Sequence, residues 1–468
     1  MKITFFGAAQ NVTGSKHLIQ SQGYSLLLDC GLYQGKRKVS NELNKNLPFE
    51  SSTINAVILS HAHLDHCGTL PILIKNGFER KIYCTGATAG IAKYIMEDCA
   101  QLQENDAIYV NKHLKKRDEP ISPIYTKEDV AETISHFEEV PYFNLSNQWT
   151  QLNENIRFKF YEAGHVLGSA ITLLEIKEDG ITKTLAFSGD LGREYLPILR
   201  PPEEIKEDMQ TLILECTYGA RLHRPMADLT GNLGEIIAEA INKKSKVIIP
   251  AFSLERTQEL VYILHKLIDE KTIASIPIYI DSPLADKITQ VFKENTEYFD
   301  EEFWKDFGSR NESPFDAKNI IYTRSTEESK ELNNVPGPFI VIAGSGMAEG
   351  GRVLHHLKNN ISNPNNIVLI TGYQAENTLG RRIQDGITPI KIFGEKYKVK
   401  AKVITLEELS AHADQKDLSN YINRIKGLKK LFLVHTELPQ AQVFRGLVSQ
   451  FHPSLLVNIP TLGQAFEI

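Results

Sequence analysis

The stretch Ser60-His61-Ala62-His63-Leu64-Asp65-His66-Cys67-Gly68 holds three imidazoles and a carboxylate within a few positions of one another. His61 and His63 are two apart, so on an extended segment both rings project to one side. Asp65 and His66 follow where the chain turns toward a helix through Gly68. Imidazole and carboxylate suit zinc, and ligands this close together can serve two ions. The plain alternative is a run of exposed polar loop residues. The spacing, and the strand in front of it, argue against that. Cys67 abuts the cluster and reads as a small buried residue.

The elements that position these side chains follow from pattern. Ile54 to Leu59 is apolar and rich in β-branched residues, which predicts a buried strand with the histidines at its C-terminal end. That is where α/β proteins build their sites. Lys2 to Ala8 reads as a first strand, and His17 to Ile19 with Tyr24 to Leu28 as a hairpin pair. His17 is treated as structural. Asp29 closes the second of these strands, either as a partner for a ligand histidine or as a turn cap. Ile156 to Glu162 predicts a strand leading to His165 among small residues, and Thr184 to Phe187 one leading to Asp190 between glycines. Thr211 to Glu215 ends in an acid. Lys398 to Leu406 leads to Ser410-Ala411-His412-Ala413-Asp414, and Leu431 to Val434 leads to His435. Strand-end histidines so late in the chain suggest a C-terminus folded back onto the first domain.

Between these lies a second α/β pattern. Lys246 to Pro250, Ile276 to Asp281, Pro338 to Ala343 and Asn366 to Thr371 predict strands, and Ser253 to Leu267 a helix with Arg256 in its first turn. The turn Gly344 to Arg352 is Gly-rich and feeds a helix, which makes either a phosphate cradle or simply a tight turn. Ala87 to Gln103 reads as a helix, Glu104 to Tyr142 as helical pieces, and Lys112 to Arg117 as a basic cluster on a solvated face or near an anionic substrate.

Composition sets limits. A chain of 468 residues implies two or three domains, and 42% apolar with 24% charged residues is ordinary for a globular protein. The net charge of -6 argues against a broadly basic nucleic-acid coat but leaves room for a local basic groove. An odd number of cysteines without a Cys-X-X-Cys pair argues against a disulfide framework and for a reducing compartment. No signal-peptide pattern or membrane-length apolar window is present, so a cytoplasmic protein with no membrane partner is expected.

The complete set of motifs resembles the β-CASP branch of the metallo-β-lactamase superfamily, nucleases that include the mRNA 3′-end cleavage endonuclease and its compact prokaryotic relatives. The histidine motif matches His61, His63, Asp65 and His66. The next ligand motifs match His165 and Asp190, the acidic motif matches Glu215, and the C-terminal histidine motifs match His412 and His435. Cys216 departs from the serine more usual there. The resemblance implies an α/β fold: a four-layer αββα metallo-β-lactamase sandwich over 1–216, an inserted α/β β-CASP domain over 217–392, and a return to the sandwich over 393–468. It places the active site in the cleft between the two domains, which favours single-stranded nucleic acid.

The resemblance further implies two zinc ions. His61, His63 and His165 would hold one; Asp65, His66 and His435 would hold the other; Asp190 would bridge them. Such a pair supplies Lewis acidity and an activated water for in-line attack on a phosphodiester. His412 becomes the general acid, oriented by Glu215, with Asp65 counted among the catalytic residues as well as the ligands. Ser345, Arg352 and Ser410 are expected to meet backbone phosphates, contacts that position without reading sequence. The expected activity is a zinc-dependent endoribonuclease that leaves 5′-phosphate and 3′-hydroxyl ends. The alternatives are an exonuclease, a DNA nuclease, a metallo-hydrolase of a small ester or phosphodiester, and a non-catalytic RNA-binding scaffold. A homodimer is a general prior only.

Overall fold

The computed structural model describes residues 1–35, 37–113, 120–308, 313–406 and 408–468. Most of the expected basic cluster, from residue 114 to 117, lies outside the described residues. The chain divides into two compact units, Met1–Leu196 with Pro201–Leu222 and Ala411–Ile468, and Pro197–Arg200 with His223–Ser410.

The first unit is built on two seven-stranded sheets. In one, Gln464–Glu467, Lys2–Phe5, His17–Ser21, Tyr24–Leu28, Ala56–Ile58, Ile82–Cys84 and Phe137–Glu139 lie side by side. In the other the order is Leu456–Asn458, Lys430–Val434, Thr211–Glu215, Ile181–Phe187, Ala170–Glu178, Ile156–Glu162 and Thr150–Gln151. One face of each sheet packs against the other sheet, and strands such as Ala56–Ile58 and Thr211–Glu215 are buried along their whole length. Rings interlock across the gap: Phe5 meets Phe432 at 5.1 Å, His17 meets Phe187 at 5.4 Å, and Tyr83 meets Phe158 at 5.5 Å between centroids. Helices Gln415–Arg424 and Leu438–Phe451 cover the outer face of the second sheet, with Leu418, Tyr421, Ala441 and Phe444 packed on Leu212, Leu214, Leu431 and Leu433. Phe5 and Phe432 illustrate the return of the C-terminus: the last strand also pairs antiparallel with the first, Ile3 opposite Phe466.

The second unit carries a six-stranded sheet in the order Ile320–Tyr322, Ile278–Ile280, Phe339–Ala343, Lys246–Pro250, Ile367–Thr371 and Lys402–Leu406. Every pairing in it is parallel. Both faces of such a sheet are covered, which explains why its central strands read as unbroken Val and Ile runs. Residues 393–410 belong to this unit, because Lys402–Leu406 pairs with Ile367–Thr371 from Ile367 opposite Lys402 to Thr371 opposite Leu406.

One element is longer than its sequence suggested. The helix that starts after the Thr85 cap runs from Gly86 to Lys112, because no Gly or Pro interrupts it between Gly90 and its end. No described helix is long and apolar enough to cross a membrane.

Candidate metal centre

Each ligand candidate lies on a segment that follows the C-terminal end of a strand in the first unit. His61 and His63 follow Ala56–Ile58, with His63 opening the short helix Leu64–Cys67 that carries Asp65 and His66. Both rings do turn to one side, with centroids 4.9 Å apart. His165 follows Ile156–Glu162, Asp190 follows Ile181–Phe187, and His435 follows Lys430–Val434. Asp190 sits between two glycines for a steric reason. A Cβ on Gly189, at φ +55°, would come within 2.6 Å of Ser60 Cβ, and one on Gly192 within 1.7 Å of the Gly164 carbonyl oxygen. The loops carrying Ser60, His165 and Asp190 therefore meet with no side chain between them.

Two candidate ligand sets result. His61 Nε2 and His63 Nδ1 face each other at 3.1 Å, and His63 Nδ1 and His165 Nε2 at 3.3 Å. Asp190 Oδ2 is 3.5 Å from both His61 Nε2 and His165 Nε2. Four ligands around tetrahedral zinc at ordinary bond lengths stand about 3.4 Å apart, so this set has the right size. In the second set His435 Nε2 is 3.2 Å from Asp65 Oδ2, and His66 Nε2 is 4.0 Å from that oxygen and 3.3 Å from Asp190 Oδ1. Asp190 thus offers one oxygen to each set. His66 Nε2 and Asp190 Oδ1 are buried and make no hydrogen bond, as atoms reserved for an ion would be.

The electrostatics agree. Burial lowers the imidazoles of His61 and His165 well below their ordinary range and His63 to about 4, which keeps them neutral as ligands must be. Burial opposes ionisation of Asp190, yet His435, His66 and His61 hold its carboxyl well below the usual carboxylate range. Burial likewise opposes a charged His66, but Asp190 and Asp29 raise it well above its ordinary value. Buried carboxylates that draw a proton onto a neighbouring imidazole mark a place that favours positive charge. The residues present fit a pair of divalent ions.

A shell of partners orients these side chains. Asp29 acts on a histidine: His66 Nδ1–H donates to its Oδ2 at 2.7 Å, while Ser60 N–H donates to its Oδ1 at 2.8 Å. Ser60 Oγ accepts from His61 Nδ1 at 3.0 Å and Thr217 Oγ1 lies 3.0 Å from His435 Nδ1. Neither hydroxyl was singled out from sequence. Ser60 abuts His61, which is a readable signal; Thr217 is far from His435 in the chain, and its only local signal is its place just beyond Glu215. Cys67 is fully buried with its Sγ turned to the Ala62 carbonyl at 3.3 Å, away from any ligand role.

His412 lies beside this cluster with Nδ1 at 4.0 Å from Asp190 Oδ2. The same Nδ1–H donates to Glu215 Oε1 at 3.0 Å. Burial would lower this imidazole, but the Glu215 carboxylate outweighs it and raises the pKa to about 9. The chain is fixed directly after His412. Ala413 N–H donates to the Leu191 carbonyl at 2.7 Å, and Asp414 caps the next helix through a capping box.

The three phosphate-binding candidates belong to the second unit. Ser345 is half-buried, and its Oγ accepts from Glu349 N–H at 3.1 Å. Ser410 is buried. Arg352 is committed internally: Nη1 donates to Asp281 Oδ1 at 2.7 Å and to the Thr323 carbonyl at 3.1 Å, and Nη2 to the Arg324 carbonyl at 3.1 Å.

Three family models match the chain. They are a Metallo-beta-lactamase superfamily domain over 18–187, a Beta-Casp domain over 257–383 and a Zn-dependent metallo-hydrolase RNA specificity domain over 396–459. Ribonuclease TTHA0252 of Thermus thermophilus is 36% identical over 437 residues, covering 93% of each chain. This chain belongs to the β-CASP branch of the metallo-β-lactamase superfamily.

Other relatives of this β-CASP metallo-hydrolase come from Methanocaldococcus jannaschii. An RNase J-like protein is 32% identical with 94% of each chain covered. The Transcription termination factor FttA is 29% identical, covering 93% of this chain and 67% of that one. A crystal structure of an Enterococcus faecalis protein of unknown function shares the fold, with a TM-score of 0.53 at 12% identity over 99% of each chain.

Proposed function

We propose that this β-CASP protein is a zinc-dependent nuclease that cuts single-stranded RNA internally, leaving 5′-phosphate and 3′-hydroxyl ends. The observation that carries this reading is the His412–Glu215 pair set beside an Asp190 whose two oxygens face two candidate ligand sets. An acid held protonated next to a two-ion centre is what a phosphodiester needs, since its departing 3′ oxygen requires a proton. Relatives named ribonuclease and RNase J-like, and the RNA specificity domain match, support RNA as the substrate.

His61, His63, His165 and Asp190 would hold one zinc; Asp65, His66, His435 and the same Asp190 the other. Zinc, when bound, supplies Lewis acidity toward the phosphate and a water acidic enough to attack near neutral pH. His412 carries the transferable proton on Nε2, its Nδ1–H being given to Glu215. As the bond from phosphorus to the 3′ oxygen breaks, that proton passes to the oxygen and yields the 3′-hydroxyl. Glu215 stabilises the imidazolium before transfer and fixes the ring plane. Ser345 and Ser410 serve as hydroxyl donors toward backbone phosphates, and Arg352 acts by holding Asp281. A reducing, cytoplasmic setting suits five cysteines that are all free thiols.

The test is digestion of 5′-labelled single-stranded RNA and matched DNA with and without a zinc chelator. Chelator-sensitive RNA cleavage to internal fragments is expected. Loss of nucleotides from one end would replace the endonuclease with an exonuclease, cleavage of DNA alone would change the substrate, and no cleavage of either strand would overturn the reading.

A further inference from the structure

His435 brings two ring nitrogens to the metal centre, and both have acidic company. Nε2 is 3.2 Å from Asp65 Oδ2, and Nδ1 is 3.6 Å from Asp190 Oδ1 and 3.0 Å from the Thr217 hydroxyl. An imidazole binds a metal through the nitrogen that lacks a proton, and the hydrogen bond at its other nitrogen decides which one that is.

The Thr217 hydroxyl makes that decision. It has one proton to give. That proton goes to the His435 main-chain carbonyl, 3.1 Å away. Toward the ring, Oγ1 is then an acceptor, and at 3.0 Å its partner is Nδ1–H. With the proton on Nδ1, the lone pair on Nε2 points to the side of Asp65. Both partners of this contact are held independently of it. Thr217 N–H donates to Glu215 Oε2 at 2.8 Å, and the following turn is closed by Gly219 N–H to the Cys216 carbonyl at 3.2 Å. The turn is tightly packed at Gly219, where a Cβ would stand 2.3 Å from Cys216 Sγ and 2.9 Å from Phe444 Cβ. His435 sits at φ +49° with its N–H donated to the Ala8 carbonyl at 2.7 Å. The same accounting works at the other ligand set: Ser60 gives its proton to Asp29 Oδ2 at 3.1 Å and accepts from His61 Nδ1.

We propose that Thr217 is a positioning residue that fixes His435 with its proton on Nδ1, so that His435 holds the second zinc through Nε2. Thr217 thereby sets the affinity for that ion without touching it. This rests on the reading of the centre as a two-zinc site.

The experiment compares full-length wild type with Thr217→Val, which keeps the shape and loses the hydroxyl, and Thr217→Ser, which keeps the hydroxyl. Zinc per chain is counted by mass spectrometry after equilibration with graded chelator, and thermal melting confirms that each protein is folded. Wild type and Thr217→Ser are expected to hold two ions. Thr217→Val is expected to keep one and to release the other about 10–100-fold more readily, the usual effect of losing a ligand's hydrogen-bond partner. Wild-type affinity for both ions in Thr217→Val, equal loss of both, or a Thr217→Ser protein that behaves like Thr217→Val would each overturn the inference. If Thr217→Val does not fold, Thr217→Ala is read by the same criteria. Fewer than two ions in wild type would overturn the two-zinc reading and this inference with it, and that is known before any variant is measured.

Discussion

His412 Nδ1 donates to Glu215 Oε1 at 3.0 Å, and the same oxygen accepts the Leu191 N–H at 3.2 Å. The carboxylate therefore ties His412 to the loop that carries Asp190. Replacing His412 by Ala should leave zinc content intact and lower turnover on RNA by ~10²–10⁴, the range for a lost acid–base group. Unchanged turnover would remove His412 from the chemistry.

The sign of the pH dependence follows from the same pair. His412 is raised to about 9, so the protonated acid persists through neutral pH and is lost as pH rises through that region. The rate profile should fall on its alkaline side there. Glu215→Gln removes the charge that sustains the imidazolium, so this fall should move to lower pH. A profile whose alkaline side is the same in both proteins would assign it to another group.

The acid Asp29 should matter for metal although it binds none. Its Oδ2 holds His66 Nδ1 at 2.7 Å and its Oδ1 holds the main chain of Ser60. Asp29→Asn keeps the size and loses the charge. Zinc at the set containing His66 should weaken by about 10–100-fold, measured by chelator competition. Equal affinity in the two proteins would make Asp29 a turn residue alone.

Much of the clustering at this candidate centre was legible because its residues are local or sit at strand ends. The run from His61 to His66 encodes its own geometry, and the β-branched strands before His165, Asp190 and His435 mark where each loop begins. What depends on distant pairing was not legible. Arg352 reads as a phosphate ligand from its Gly-rich turn, yet its partner Asp281 is 71 residues away. Thr217 and His435 are 218 apart, and nothing local to either announces the contact. Residues 393–410 look like a return to the first unit until Lys402–Leu406 finds a partner in the second unit's sheet. Hydrophobic pattern specifies that a strand exists but not which neighbour it takes.

Asp190 offers one oxygen to each ligand set, so its loss should differ from the loss of any other ligand. His63→Ala should weaken the set formed with His61 and His165 and spare the other. His435→Ala should do the reverse. Asp190→Ala should deplete both, because each set loses an oxygen and the charge that favours cations there. Zinc counts per folded chain distinguish these patterns, and a variant of Asp190 that keeps one ion at full affinity would show that it serves only one set.

Arg352 should prove structural. Asp281 is fully buried and accepts from Arg352, His356, Ser329 and Thr323. Burial opposes its charge, and these donors together hold its carboxyl well below the usual range. Arg352→Ala takes away a charged donor and leaves the carboxylate less compensated, at a cost of about 1.5–3 kcal/mol. Denaturant unfolding should report the loss, while KM for RNA in the folded variant should stay near wild type. A raised KM with unchanged stability would restore Arg352 to phosphate binding.

His17 supplies a last test, of acid stability. It is fully buried, with its ring against Phe5 at 5.2 Å and Phe187 at 5.4 Å. Burial, helped by the nearby His66, His435 and Lys16, lowers its imidazole from 6.5 to about 3. In the unfolded chain the ring takes up a proton below 6.5; in the fold it stays neutral until about 3. The unfolded state therefore binds more protons across this window, and stability falls as pH drops, by roughly 1.4 kcal/mol per pH unit for each such group. His17→Phe should fit between the same rings and remove this group's share. Its stability should decline less steeply than wild type between pH 6 and 4, roughly the heart of the window, measured by urea unfolding at matched zinc. Parallel slopes in the two proteins would mean that His17 is not neutral in the fold.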